Sequence, residues 1–168
     1  YSDHYYPADY HSDSDLAGKH SQSTVSQTGS MIFLNGVPVS WRSKKQCRTS
    51  KSIAQAEIYA LSHTLSDARG LFWKLQAMDI SLHKPLTVYT DNDQARIFSK
   101  STCVRSRLQG IFGLHEAWVE ELRDDGWLDA QYVCAANNAA NILTKSVASD
   151  QFRREKRLIS NRWRLARG

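Results

Sequence analysis

Residues 31–41 read MIFLNGVPVSW, two apolar runs either side of Asn35-Gly36. Both central residues of a tight hairpin turn must accept positive φ, which Asn and Gly do at least cost. This dipeptide between apolar runs is therefore the strongest short-range hairpin signal a sequence offers. It commits the N-terminal third to antiparallel pairing. Pro7 marks the entry to a further strand at residues 8–13, and the Ser-, Thr- and Gln-rich residues 20–28 read as a polar loop. Three antiparallel strands are expected. Pro38 lacks an N–H, so the third of them belongs at a sheet edge or carries a bulge.

Helical periodicity follows. Ser52 with Gln55 three residues later has the form of a capping box. Leu61, Leu65, Ala68, Phe72 and Leu75 then recur every three or four residues and draw one core-facing stripe, with Gly70 interrupting it. Residues 86–90 read as a strand and 92–100 as a short helix. Leu108, Ile111, Phe112, His115, Trp118, Val119 and Leu122 make a second stripe that stops at Gly126. LDAQYV (128–133) is a further strand and NNAANILTK a closing helix. Strands separated by helices pair parallel through right-handed crossovers. The fold class expected is α/β: a mixed five-stranded sheet, three antiparallel strands and then parallel ones, flanked by helices.

The 168 residues are 41% apolar and include 17 aromatics, enough for a packed core. No apolar run approaches the roughly 20 residues of a membrane span, and no basic-then-apolar leader opens the sequence, so no membrane partner is expected. The three cysteines are odd in number and far apart, which suits a reducing compartment.

Charge is uneven. From Asp150 onward stand seven Lys/Arg and two acids, which carry the whole net charge of +5; the other residues hold 15 of each sign. A basic end on a neutral body suits contact with a polyanion, or it is a solubilising terminus. Phe152, Ile159, Trp163 and Ala166 fall near helical spacing. The expected organisation is one domain over 1–148 and a basic amphipathic helix over 149–168, packed on it or extending from it.

Three acids then demand attention. Extending the first helical stripe backward from Leu61 reaches Glu57, on the sheet-facing side, where a carboxylate must reach solvent, be paired or bind metal. Asp13 ends the first strand and Asp91 the fourth. Taken singly, Asp91 fits an N-cap and Asp13 a turn. Taken together, parallel neighbouring first and fourth strands would set Asp13 and Asp91 side by side, where α/β sheets gather ligands, with Glu57 above them. Three carboxylates so close stay ionised only around a cation, and an all-oxygen set selects Mg²⁺ or Mn²⁺. Two such ions about 3.5–4 Å apart activate water for in-line phosphoryl transfer.

The blocks YHSDSDLAG, GVPVSWRSKKQ, AQAEIYALS, VYTDNDQA and ANILTKS, over about residues 8–147, resemble in order and spacing the ribonuclease H domain that closes the Pol polyprotein of copia-type (Pseudoviridae) LTR retrotransposons. The resemblance implies an RNase H-like fold. It also implies two-metal cleavage of the RNA strand of RNA–DNA hybrids during reverse transcription, and a reverse transcriptase domain of the same polyprotein as partner. The expected location is cytoplasmic, in the retrotransposon particle, or nuclear. By position it makes Asp13, Glu57 and Asp91 the metal-binding acids. Two departures stand out: Gln55 replaces the first acid of EAE, and Asn141 stands where the pattern has the fourth carboxylate, ADILTK. An Asn offers one oxygen and no charge, so the second ion should bind more weakly. The other function the sequence supports is a catalytically degenerate module that binds nucleic acid or a reverse transcriptase.

For the hybrid, the candidate phosphate contacts are Lys44, Lys45, Arg48 and Lys51 before the Glu57 helix, and Arg105 and Arg107 before the later one. Ser52, Asn92 and Gln94 are candidate hydrogen-bonding residues. His63 and His115 sit on helical stripes and read as packed or surface residues rather than general bases.

Overall fold

The computed structural model describes residues 7–16, 25–100 and 111–165, with backbone alone for 94, 98, 100, 111, 112 and 161–165. Strands β1 (Ala8–Asp15), β2 (Gln27–Leu34) and β3 (Val37–Lys45) pair antiparallel. The β2–β3 turn has Asn35 at φ 51° and Gly36 at φ 73°, the left-handed conformations the dipeptide was expected to supply. Ile32 pairs with Ser40 but Phe33 with Pro38, so Val39 is an extra residue. Pro38 thus lies at a bulge on a strand that is also an edge, where its missing donor costs nothing. Gln27 and Thr28 belong to β2 rather than to the preceding polar segment, and Thr28 Oγ1 accepts from Gln46 Nε2 at 3.1 Å.

Helix α1 (Ile53–Gln76) starts as its sequence indicates: Ser52 Oγ accepts from the Gln55 N–H at 3.2 Å. Gln55 returns one residue early, its Oε1 accepting from the Lys51 N–H at 3.0 Å. The helix runs through Gly70, whose position faces open space. Leu61, Leu65, Ala68, Phe72 and Leu75 are all buried against Tyr10, Ile32, Val88, Leu122 and Leu128. Burial of each large side chain contributes about 1.5–3 kcal/mol, which fixes α1 across the sheet.

Strand β4 (Leu86–Thr90), α2 (Asp93–Lys100), α3 (Ile111–Asp124) and β5 (Leu128–Tyr132) follow. The sheet order is β3-β2-β1-β4-β5, with β1–β4 and β4–β5 parallel. This is the mixed five-stranded α/β sheet expected. Leu108, placed on the α3 stripe by periodicity, lies outside the described residues.

The closing helix at NNAANILTK is not a helix. Two short 3-10 turns, Ala135–Asn137 and Asn141–Leu143, stand there instead. Tethers to the sheet outcompete the α-helical ladder: Asn138 Nδ2 donates to Ser12 O at 2.9 Å, and its Oδ1 accepts from the Ala140 N–H at 3.1 Å. The turns press onto β2 at Gly29, where a Cβ would lie 2.7 Å from both Ala140 O and Thr144 Cγ2.

Helix α4 (Ser149–Leu165) covers this second face of the sheet. Ile159 packs on Met31, Phe33 and Ala139. Phe152, expected on the inner stripe, is 47% exposed, and Glu155 is buried instead. Trp163's side chain and Ala166 lie outside the described residues. Among the described residues no helix is long and apolar enough to cross a membrane.

Candidate metal centre

Parallel pairing of Tyr10 with Val88 and His11 with Tyr89 puts the C-terminal ends of β1 and β4 side by side. Asp13 stands in β1 near its end, and Asp91 directly follows β4. Glu57 is in the second turn of α1 and only 4% exposed. Each offers a carboxylate oxygen, and the three oxygens lie within 4.8 Å of one another.

Protein donors cover only part of this charge. Asp13 Oδ2 accepts from Thr144 Oγ1, Glu57 Oε1 from the Ser14 N–H at 3.3 Å, and Asp91 Oδ1 from Asn138 Nδ2 at 3.4 Å. Glu57 Oε2 is buried without a hydrogen-bond partner. Burial, with the Asp13 charge second, pushes Glu57 up to about 8. Burial also raises Asp13 to about 6, with Thr144 and Lys145 opposing and Asp91 adding to the rise. A divalent cation would remove both penalties at once: it neutralises the cluster and satisfies the orphaned oxygen. An all-oxygen donor set suits a hard ion, Mg²⁺ or Mn²⁺.

Asp91 does not cap α2. Asn92 does: its Oδ1 accepts from the Ala95 N–H at 3.0 Å and its carbonyl from the Arg96 N–H at 3.1 Å. The Asp91 carboxylate is left to the cluster.

No family model matches the chain. It is 30% identical over 151 residues to the retrovirus-related Pol polyprotein of transposon TNT 1-94 from Nicotiana tabacum, covering 89% of this chain and 11% of that polyprotein. It is 29% identical over 149 residues to that of transposon RE2 from Arabidopsis thaliana, covering 89% and 10%. A yeast Ty1 Gag-Pol polyprotein matches at 26% over 140 residues, 82% of this chain and 8% of the relative. The chain thus spans about a tenth of the length of the relatives it matches. Two solved folds superpose on it at 14% identity: the N-terminal RNase H domain of a Mycobacterium tuberculosis protein (TM-score 0.58, 89% of this chain and 96% of that one) and LC11-RNase H1 in complex with an RNA/DNA hybrid (0.59, 82% and 94%). The chain has an RNase H-like fold and is related in sequence to retrotransposon Pol polyproteins, Ty1 among them.

Asn141, where the sequence resemblance leads us to expect a fourth ligand, is buried in the second 3-10 turn. Both ends of its amide are taken. Nδ2 donates to Glu155 Oε1 at 2.9 Å, and Oδ1 accepts from Lys145 Nζ at 2.9 Å. Sequence reasoning missed Asn138, Thr144 and Lys145 around the acids, and Glu155 behind Asn141. The first three stand in the NNAANILTK block. For Glu155 the available signal was an acid isolated within a basic run.

Lys44, Lys45, Arg48 and Lys51 are exposed between the end of β3 and the start of α1. Lys44 and Lys45 line a hollow with Arg42, Tyr59 and His63. The Ser52 and Asn92 side chains are helix caps. Gln94 lies in α2 with its side chain outside the described residues, as are Arg105 and Arg107 entirely. His63 on α1 and His115 on α3 pack tilted against Tyr59, with centroids 4.6 and 4.4 Å from its ring. Ser62 Oγ bonds His115 Nδ1 at 2.7 Å, and burial lowers both imidazoles. They are packing residues between the two helices.

Proposed function

We propose that this domain is a divalent-metal-dependent endoribonuclease that cuts the RNA strand of RNA–DNA hybrids during retrotransposon reverse transcription. The observation that carries the reading is the convergence of Asp13, Glu57 and Asp91 within 4.8 Å, with a buried Glu57 oxygen unsatisfied by the protein. Mg²⁺ or Mn²⁺ held there would supply an activated water and positive charge for the leaving oxygen of in-line displacement. Asp13 in β1 and Asp91 just after β4 would hold the ion, and Glu57 would close the set from α1. Thr144 orients Asp13 and Asn138 orients Asp91, so neither carboxylate has to search for its position when the ion arrives. Lys44, Lys45, Arg48 and Lys51 take the phosphates of the hybrid, and the adjoining reverse transcriptase domain delivers it. The working location is the cytoplasmic retrotransposon particle or the nucleus.

Asn141 favours a second reading. With its amide committed to Glu155 and Lys145, the fourth position brings no charge. The domain would then be a degenerate module that binds hybrid or reverse transcriptase without cutting. End-labelled RNA–DNA hybrid incubated with Mg²⁺ or Mn²⁺ separates the two. Cleavage by the chain, lost in Asp91→Asn, supports the nuclease. Tight hybrid binding without cleavage, by the chain and by a variant carrying both Asn141→Asp and Glu155→Gln, leaves the binding module.

A further inference from the structure

The fourth position is coupled to the basic C-terminal helix. Glu155, on the inner face of α4, is 8% exposed, while its neighbours Arg153, Arg154, Lys156 and Arg157 are exposed. Its Oε1 accepts from Asn141 Nδ2 and from Gln151 Nε2, each at 2.9 Å. Its Oε2 is buried with no hydrogen-bond partner. Asn141 is itself 5% exposed, so the contact is closed to water.

An amide and a carboxylate differ little in shape but oppositely in hydrogen bonding. Nδ2 has two protons to give, whereas an ionised carboxylate only accepts. Put an aspartate at 141, and the atom facing Glu155 Oε1 becomes a second anionic oxygen with no proton between them. Lys145, the cation bonded to Asn141 Oδ1, is exposed and already committed to the opposite side of the amide. Among the described residues it makes no ion pair with Glu155.

We propose that Glu155 is a positioning residue that selects an amide at position 141. By anchoring α4 through that amide, it sets both the docking of the basic helix and the charge available to the metal centre. The consequence is that Asn141→Asp alone does not rebuild a four-acid site; the reversion needs Glu155 neutralised as well. The metal half of this inference rests on the function proposed above, and the pairing half does not.

A double-mutant cycle tests it, with the full chain, Asn141→Asp, Glu155→Gln and the double variant. In metal-free buffer, Asn141→Asp is expected to lower Tm by roughly 5 °C or more. Glu155→Gln keeps the accepting oxygen and stays near the parent, and the double variant recovers most of the loss. Calorimetric titration with Mn²⁺ is the second measurement. The double variant binds about tenfold more tightly than the parent, and Asn141→Asp alone falls short of it. Additive Tm changes, or an Asn141→Asp chain as stable as the parent with the full gain in Mn²⁺ affinity, would overturn the proposal. Non-additive stability with no Mn²⁺ binding by any of the four proteins upholds the pairing and removes the metal reading instead.

Discussion

Asn138 ties Asp91 to strand β1: one side-chain nitrogen donates to Ser12 O at 2.9 Å and to Asp91 Oδ1 at 3.4 Å. The residue is 1% exposed and bridges the β1 backbone at Ser12 to the acid that directly follows β4. It makes the segment after β5 part of the site rather than a connection.

Asn138→Ala removes that bridge and leaves Ser12 O buried without its donor. Loss of a buried hydrogen bond of this kind costs about 1–3 kcal/mol. Urea denaturation is expected to show the loss with an unchanged m-value. Mn²⁺ affinity should fall as well, since Asp91 loses the donor that orients it. Parent-like stability and affinity in the variant would deny Asn138 this role.

The acids of the site give a pH signature with a definite sign. Glu57 titrates at about 8 in the fold and near 4.5 when unfolded; Asp13 titrates at about 6 rather than 3.8. Between those limits the native state holds protons that the unfolded chain has released. Stability from these groups is therefore full below about pH 4 and lost as pH rises toward 8. Glu57→Gln removes most of that slope while keeping size. In metal-free buffer the Tm difference, variant minus parent, should grow from pH 5 to pH 8.5. Each kcal/mol gained corresponds to about 2–4 °C in a domain this size. Because the variant is read against the parent at each pH, the His63 and His115 titrations cancel. Mn²⁺ should stabilise the parent and not the variant. A difference that is flat or shrinks with pH would show that burial and the Asp13 charge do not hold a proton on Glu57.

Much of this arrangement was legible beforehand, for identifiable reasons. The β2–β3 hairpin was readable because Asn35-Gly36 states its own turn geometry. The α1 stripe was readable because burial repeats with the helical period. Glu57 followed from that stripe, and Asp13 and Asp91 from the rule that parallel strand ends collect ligands. Where tertiary contacts overrode local pattern, reading failed. NNAANILTK reads as a helix, yet Asn138 and Thr144 bond to β1 residues more than 120 positions away and hold the segment in 3-10 turns. Asp91 and Asn92 are both good N-cap residues, and nothing local says which one turns toward the helix. Glu155 breaks the apolar stripe of α4 because its partner is an amide on another element, a pairing that periodicity does not encode.

Gly29 tests how closely the turns must approach the sheet. A methyl group there would stand 2.7 Å from a backbone oxygen, Ala140 O, and from Thr144 Cγ2. Backbone cannot rotate aside, so Gly29→Ala should destabilise by about 1–3 kcal/mol. The shift moves Thr144 off Asp13, so Mn²⁺ affinity should drop with stability. A fully stable Gly29→Ala chain would mean that the turns yield freely.

The exposed cations before α1 make a last expectation quantitative. Lys44 and Lys45 end β3 and line one hollow with Arg42, but Arg42 is already paired with Asp67 at 2.6 Å. The two lysines are thus the freer cations there for phosphate. Binding driven by phosphate contacts loses affinity linearly on a log–log salt plot, with a slope of about −0.7 to −0.9 per contact. Replacing both lysines by Gln should make that slope shallower by about 1.5 and weaken binding alike on hybrids of different sequence. Fluorescence anisotropy of a labelled hybrid between 50 and roughly 200 mM salt measures it. The Asp91→Asn chain is the suitable host, because it keeps the hybrid intact during the titration. An unchanged slope would place the phosphate path elsewhere, leaving this hollow an ordinary solvated surface.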